Sequence, residues 1–253
     1  MTSFYNDNHP ATGAWLQALV NAGELPSGRV QVCDVTEADP DNSTHCHWFA
    51  GIGGWPLALK MIGWPDATPV WTASLPCQSF SSAGKQRGFA DDRHLWPAFR
   101  DHIAKHNPPI LFGEQTQSKL GRDWLATVQD SLEALGYRTA AADLCGPLVG
   151  APHQRQRLYW MAYAPGWRER SYWEAVQRTL RGCDNLSAFW AESLEYVDAG
   201  DGRKLRPVKP GIQLMADGLP SRVVLSRGVG NAIVPQVAAL FIKSSVDALI
   251  ESS

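Results

Sequence analysis

Residues 44–54 read THCHWFAGIGG. The first seven are compatible with a short buried strand, and they run without interruption into Gly51-Ile52-Gly53-Gly54. Residues 55–62, WPLALKMI, then carry helical spacing, with Pro56 tolerated in a first turn. Strand, glycine turn and helix form the unit from which parallel sheets are built. The same alternation continues downstream. Residues 69–75 predict a strand that ends at Pro76-Cys77-Gln78, and residues 79–93 a polar, glycine-containing loop. Residues 95–106 predict a helix, and PILFG (109–113) a buried strand ending at Glu114. A helix over 123–135 and strands over 137–144 and 157–163 follow. Upstream, Trp15, Leu16, Leu19 and Val20 make one apolar stripe on a helix over 13–22, and RVQVCDV (29–35) alternates as a strand.

The pattern predicts an α/β fold, a mostly parallel sheet with helices on both faces. It breaks between 164 and 227, a stretch rich in Trp, Arg, Gly and Pro without a clear period, and a regular apolar helix resumes over 233–249. The expected organisation is a main domain from 1–163 and 229–253 and a small irregular lobe from 164–228.

Composition narrows the function classes. At 253 residues, 44% hydrophobic and 19% charged, the chain is long enough for one core and a small lobe, and too apolar for wholesale disorder. Its apolar runs fall well short of the roughly 20 residues that a bilayer span requires, so no membrane partner is expected. Residues 1–10 are polar and carry no basic segment followed by an apolar one, which predicts no secretory signal. Five cysteines without a C-x-x-C pair disfavour a disulfide scaffold or zinc ribbon and suit a reducing cytoplasm. Net charge is −2, but residues 1–75 hold two basic and seven acidic side chains, whereas residues 76–228 hold 20 basic and 16 acidic. That later excess could receive a polyanion, although ordinary surface variation produces the same numbers.

Five groups of residues could carry chemistry. The glycines of FAGIGG either close a tight turn or let a ligand approach the free N–H groups of a helix N-terminus. Their spacing is not that of a dinucleotide pyrophosphate site, which disfavours a nicotinamide dehydrogenase. Cys77 stands at a strand end, where open α/β sheets build their sites, with Lys85 and Arg87 close in sequence. Buried cysteines are also common fillers of apolar cores. Glu114 ends an apolar strand, where a carboxylate is costly unless paired or used. Arg155 and Arg157 alternate in APHQRQRLYW and could face one way toward an anion or a carbonyl oxygen. Asn231, in GNAIVPQ, either caps the last helix or contacts a ligand.

Taken in order, FAGIGG, PCQSFS, GKQRGFADDR, a strand ending in Glu, RQR, a variable lobe and GNAIVPQVA strongly resemble the cytosine-5 DNA methyltransferases. The resemblance runs from about residue 44 to 240. It implies a Rossmann-like methyltransferase fold with a small target-recognition lobe, using S-adenosylmethionine and releasing S-adenosylhomocysteine. It implies that Phe49, Gly51, Ile52, Gly53 and Pro76 line the cofactor site, closed by Leu95, Asn231 and Ile233. Cys77 is the implied nucleophile, flanked by Gln78; Glu114 grips and protonates the ring; Arg155 and Arg157 stand beside the target base. The loop 79–93 closes on the DNA, with Ser81, Lys85 and Arg87 as contacts. Double-stranded DNA is the implied partner, its cytosine flipped out of the stack. A cognate restriction endonuclease is a further implied partner, no metal is required, and a monomer suffices.

The chain departs from the family pattern in places. Forty-eight residues precede Phe49, where the family begins almost at once, and the short interval from Gly54 to Pro76 omits two strand units. Those units normally supply a ribose-binding acid and an adenine-contacting Asp. RVQVCDV resembles the second of them moved ahead in the chain. Asp34 is therefore either a cofactor contact or a plain loop-entry Asp. Gln115 and Thr116 replace the usual Asn-Val after Glu114, and His153 stands in place of Gln. The same chemistry on RNA and a catalytically silent nucleic-acid-binding homologue are the competing readings.

Overall fold

The computed structural model describes residues 3–76, 95–151, 153–166, 170–180, 197–198, 204–205 and 232–251. The chain opens with β1 (Ser3–Asn6), α1 (Pro10–Asn21) and β2 (Gly28–Gln31). It continues through β3 (His45–Trp48), α2 (Gly54–Ile62), β4 (Val70–Ala73), α3 (Trp96–His106) and β5 (Ile110–Thr116). Then come α4 (Lys119–Ala134), β6 (Arg138–Leu144), β7 (Arg157–Tyr163), α5 (Arg170–Thr179) and α6 (Pro235–Glu251). Two short strands, β8 (Val197–Asp198) and β9 (Lys204–Leu205), pair antiparallel with each other.

Seven strands form one sheet in the order β2-β1-β3-β4-β5-β7-β6. All are parallel except β7, which runs antiparallel to both β5 and β6. This is the α/β architecture that the sequence predicts. Strand alternation sorts side chains onto two faces. One carries Val70, Ile110, Phe112, Tyr159 and Met161 under α2, α5 and α6. The other carries Trp48, Trp71, Leu111 and Trp160 under α3 and α4. Large rings fill both layers: Trp55 stacks on Phe112 at 6.5 Å and Phe99 on Trp71 at 6.3 Å.

Two elements differ from the sequence expectation. Residues 1–10 show no readable period, yet Ser3–Asn6 is a fully buried strand between β2 and β3. Four residues are too few for alternation to register, and two parallel neighbours supply what local propensity does not. The second is α5, inside the stretch read as irregular: Trp173 and Val176 are buried in the same apolar cluster as α6.

The structure brings RVQ to the sheet edge as β2, beside β1 and outside β3. Two strand units thus precede the glycine-turn unit in the chain and lie beyond it in space. This order has a geometric cost. The steps from β3 to β4 and from β4 to β5 run the same way across the sheet, but α2 covers one face and α3 the other. The two crossovers therefore have opposite hands. β1 to β2 steps the other way, with α1 against Tyr5 on the α2 side, so it shares the hand of β4–α3–β5. Such crossovers are right-handed in about 98% of cases. The odd one here is β3–α2–β4, because β1 and β2 already occupy the side toward which β3 would otherwise step.

Candidate active site

The chain leaves β3 toward one face and β4 toward the other, so a crevice opens at their carboxyl ends. Its floor is the glycine turn. Phe49, Gly51 and Gly53 all take positive φ, at 50°, 54° and 90°, a region that glycine enters without a Cβ penalty. Among the described residues, a Cβ on Gly51 would meet only the Phe49 carbonyl oxygen, at 4.0 Å, leaving room for a ligand on that side. A Cβ on Gly54 would lie 2.6 Å from Ile233 Cγ1. The segment before α6 is therefore pressed onto the start of α2. Phe49 is half-buried, its ring edge-on to Phe99 at 5.9 Å, and Leu95 belongs to the same apolar layer at the start of α3. The carbonyl of Ile52 accepts a hydrogen bond from Trp15 Nε1 at 3.3 Å. Pro76 is exposed just past β4.

A residue that sequence reasoning missed completes this floor. Asp7 follows β1 directly, and its Oδ2 accepts the Gly51 N–H at 3.0 Å while Oδ1 accepts that of His9 at 3.0 Å. The neighbouring Ala50 N–H donates to the Asn6 carbonyl at 2.8 Å, which carries the β1–β3 pairing up to the turn. The available signal was an aromatic pair, Phe4-Tyr5, followed by Asp and a proline-initiated helix. Asp34 lies beyond the carboxyl end of β2, half-buried. Its Oδ1 accepts from Thr36 N at 2.9 Å and Thr36 Oγ1 at 2.8 Å, a local loop closure. His102 of α3 bonds the next carbonyl, that of Val35, at 2.7 Å.

The charged centre lies at the far side, on the α2 face. Glu114 is 7% exposed, and its Oε1 is 2.8 Å from Arg157 Nε. The antiparallel register sets Glu114 opposite Tyr159 and Thr116 opposite Arg157, so the two charges lie diagonally on one face. Burial raises the Glu114 pKa above the ordinary carboxyl value, against the pull of Arg157 and then Arg155. Burial likewise lowers the Arg155 pKa, with Arg157 adding to the effect. A carboxyl held high between two guanidiniums can donate a proton and then tolerate the charge it retains. Gln115 points away; its Oε1 accepts the Thr116 N–H at 2.8 Å.

The structure thus brings the glycine turn, Ile233 and Leu95 to one crevice, and Glu114, Arg155 and Arg157 to one charge cluster. Ala73 pairs with Gly113, so β4 leads toward Pro76 alongside the strand that carries Glu114. Cys77, Gln78, Ser81, Lys85, Arg87 and Asn231 lie outside the described residues. Among the described residues no helix is long and apolar enough to cross a membrane.

Comparison with known proteins shows what a part of this chain resembles. Residues 65–179 match the family model described as C-5 cytosine-specific DNA methylase. That stretch takes in β4 to α5 and leaves out β1 to β3. The chain is 30% identical to the Type II methyltransferase M.AplI of Arthrospira platensis over 155 residues, 47% of this chain and 45% of that protein. It is 27% identical to the Type II methyltransferase M.HpaII of Haemophilus parainfluenzae over 236 residues, 74% of this chain and 64% of that protein. It therefore spans less than two thirds of the length of either relative. Among solved structures, the Entamoeba histolytica methyltransferase EhMeth superposes with a TM-score of 0.51 at 14% identity, covering 81% of this chain and 98% of that one. That likeness concerns the fold alone. Over residues 65–179, which carry every strand from β4 to β7, the chain is similar to the C-5 cytosine-specific DNA methylase family.

Proposed function

We propose that this protein transfers a methyl group from S-adenosylmethionine to C5 of a cytosine in double-stranded DNA, through a covalent bond from Cys77 to C6. The observation that carries the reading is the buried Glu114–Arg157 pair at the end of β5, one strand from the β4 that leads into Pro76-Cys77.

The crevice fits the cofactor. Among the described residues Gly51 has open space beside it, the N-terminus of α2 directs its N–H groups there, and Asp7 supplies a carboxylate at a neighbouring strand end, suited to a ribose hydroxyl. Phe49, Ile52, Gly53, Pro76, Leu95 and Ile233 would wall it, with Asn231, and Asp34 would reach the adenine. Bound there, S-adenosylmethionine supplies an electrophilic methyl group on a sulfonium.

The chain's own residues prepare the acceptor. The Cys77 thiolate adds to C6 of a flipped-out cytosine, which makes C5 nucleophilic and splits one hard step into easier ones. Glu114 donates its proton at N3, and Arg155 and Arg157 balance the charge that grows toward O2. After C5 is methylated it loses its proton to a base, the S–C6 bond breaks, and Cys77 leaves as thiolate. Gln78 would support the nucleophile, and Ser81, Lys85 and Arg87 would contact the DNA. The lobe 164–228 would read the target, its first helix, α5, docked on α6. The reading places the protein in the cytoplasm as a monomer, with a restriction endonuclease of matching target as a genetic partner.

Bisulfite sequencing of DNA from cells that express the chain, with Cys77→Ala as control, tests this. Methylcytosine at one short sequence, absent in the control, is the expected result. Methyl incorporation into RNA but not DNA moves the substrate class. Failure to trap a covalent complex on DNA containing 5-fluorocytosine removes the enzymatic reading.

A further inference from the structure

The sequence places Trp15 in the apolar stripe of α1, yet its side chain is 45% exposed, whereas its neighbour Leu16 is fully buried. The ring is fixed instead by its indole N–H, which donates to the Ile52 carbonyl at 3.3 Å. Ile52 belongs to the glycine turn, 37 positions later in the chain. The Ile52–Gly53 peptide is engaged at its other end as well, because the Gly53 N–H donates to the Ala50 carbonyl at 3.0 Å. The Ala50–Gly51 peptide is likewise held at both ends: its carbonyl accepts that bond, and its N–H donates to Asp7 Oδ2 at 3.0 Å. Peptide units are rigid planes, so pinning these two leaves the Gly51–Ile52 peptide between them little freedom to turn. Among the described residues its N–H donates to no atom. The β1–α1 unit thus grips the turn twice, through Asp7 before one peptide and through Trp15 after the next.

We propose that Trp15 is a positioning residue for the amino-acid end of the cofactor: by holding the Ile52 carbonyl, its indole keeps the Ile52 N–H directed at the carboxylate of S-adenosylmethionine. That carboxylate is the anionic group of the molecule, and a backbone N–H paired with an anion makes a strong hydrogen bond. The assignment rests on the reading of the crevice as an S-adenosylmethionine site. Trp15 acts through the turn and needs no contact with the cofactor. Its ring lies outside the buried cluster of Tyr5, Leu16, Leu25 and Ala50, so trimming it leaves the packing of α1 in place.

Trp15→Phe removes the N–H and keeps an aromatic ring. A second variant, with benzothienylalanine incorporated at position 15, keeps the bicyclic ring and exchanges only the N–H for sulfur. Calorimetry on the full chain compares two ligands, S-adenosylhomocysteine and methylthioadenosine, which lacks the amino-acid carboxylate. Both variants are expected to raise the S-adenosylhomocysteine Kd about fivefold and to leave the methylthioadenosine Kd and the urea midpoint unchanged. Unchanged S-adenosylhomocysteine affinity overturns the proposal, and so does equal weakening of both ligands, which marks a general loosening of the crevice. A loss in Trp15→Phe that the benzothienylalanine variant does not share assigns the effect to ring shape and overturns it too. A wild-type chain that binds S-adenosylhomocysteine no more tightly than methylthioadenosine overturns the proposal alone. One that binds neither ligand overturns the functional reading and the proposal together.

Discussion

Arg157 Nε and Glu114 Oε1 face each other at 2.8 Å from adjacent antiparallel strands, in surroundings that leave the carboxylate side chain 9% exposed. The pair holds a charge in an interior that would otherwise neutralise it. Removing one partner strands the other: Arg157→Ala is expected to lower unfolding free energy by about 3 kcal/mol in urea denaturation. Glu114→Gln keeps the shape and most of the stability, and it is expected to cut methyl transfer by about 10²–10⁴-fold.

The same carboxyl gives a pH dependence with a definite sign. Its folded pKa lies above the ordinary value of 4.5, so its contribution to stability is complete below that value and is lost as pH rises through the folded pKa. Arg157→Ala raises the folded pKa further and widens the window. Stability measured from pH 4 to pH 8 should show a downward component that Glu114→Gln abolishes, and a component that persists in that variant contradicts the assignment.

His47 acts in the opposite sense. It is buried on β3, its Nδ1 2.8 Å from Thr72 Oγ1, and burial holds its pKa well below 6.5. Its contribution is therefore present above 6.5 and is lost as pH falls below it, at about 1.4 kcal/mol per pH unit. His47→Gln should flatten the acid side of the stability profile and leave the alkaline side as in wild type.

Asp7 and Asp34 make separable predictions. Asp7→Asn weakens a charge-assisted bond to the Gly51 amide and removes the carboxylate from the crevice, so the S-adenosylmethionine Kd should rise about tenfold. Among the described residues, the Asp34 carboxylate accepts hydrogen bonds only through Oδ1, from Thr36. Calorimetry on Asp34→Ala decides its role, because unchanged affinity would mean that it only closes its loop.

Gly54→Ala places a methyl group 2.6 Å from Ile233 Cγ1. The segment before α6 must retreat, at a cost of about 1–3 kcal/mol in stability. Cofactor KM should rise with it, since the wall of the crevice is what moves.

The parts of this fold that sequence periodicity discloses are those long enough to show it. PILFG, RLYW and the stripe of α4 have clear patterns, and each emerges as expected. Glu114, Arg155 and Arg157 were legible as a group because a charge at the end of an apolar strand needs a partner, and the register supplies one. Asp7 was not legible, because a four-residue strand has no period and its partners are placed by tertiary pairing. RVQVCDV could be read as a strand, but where it lies in the sheet depended on β1. Helix α5 escaped notice because its apolar face is only Trp173 and Val176 on an otherwise polar segment.

The exceptional winding of β3–α2–β4 shows that adjacency, not succession, defines this crevice. Asp7 serves a glycine 44 positions later in the chain. A gene in which the block encoding β1 through β2 is transplanted to the link between α2 and β4 would keep every strand pairing and regain the common sense of winding. The two genes would encode one pocket under two linear spellings, and scans that demand a fixed motif sequence would overlook whichever spelling they were not taught.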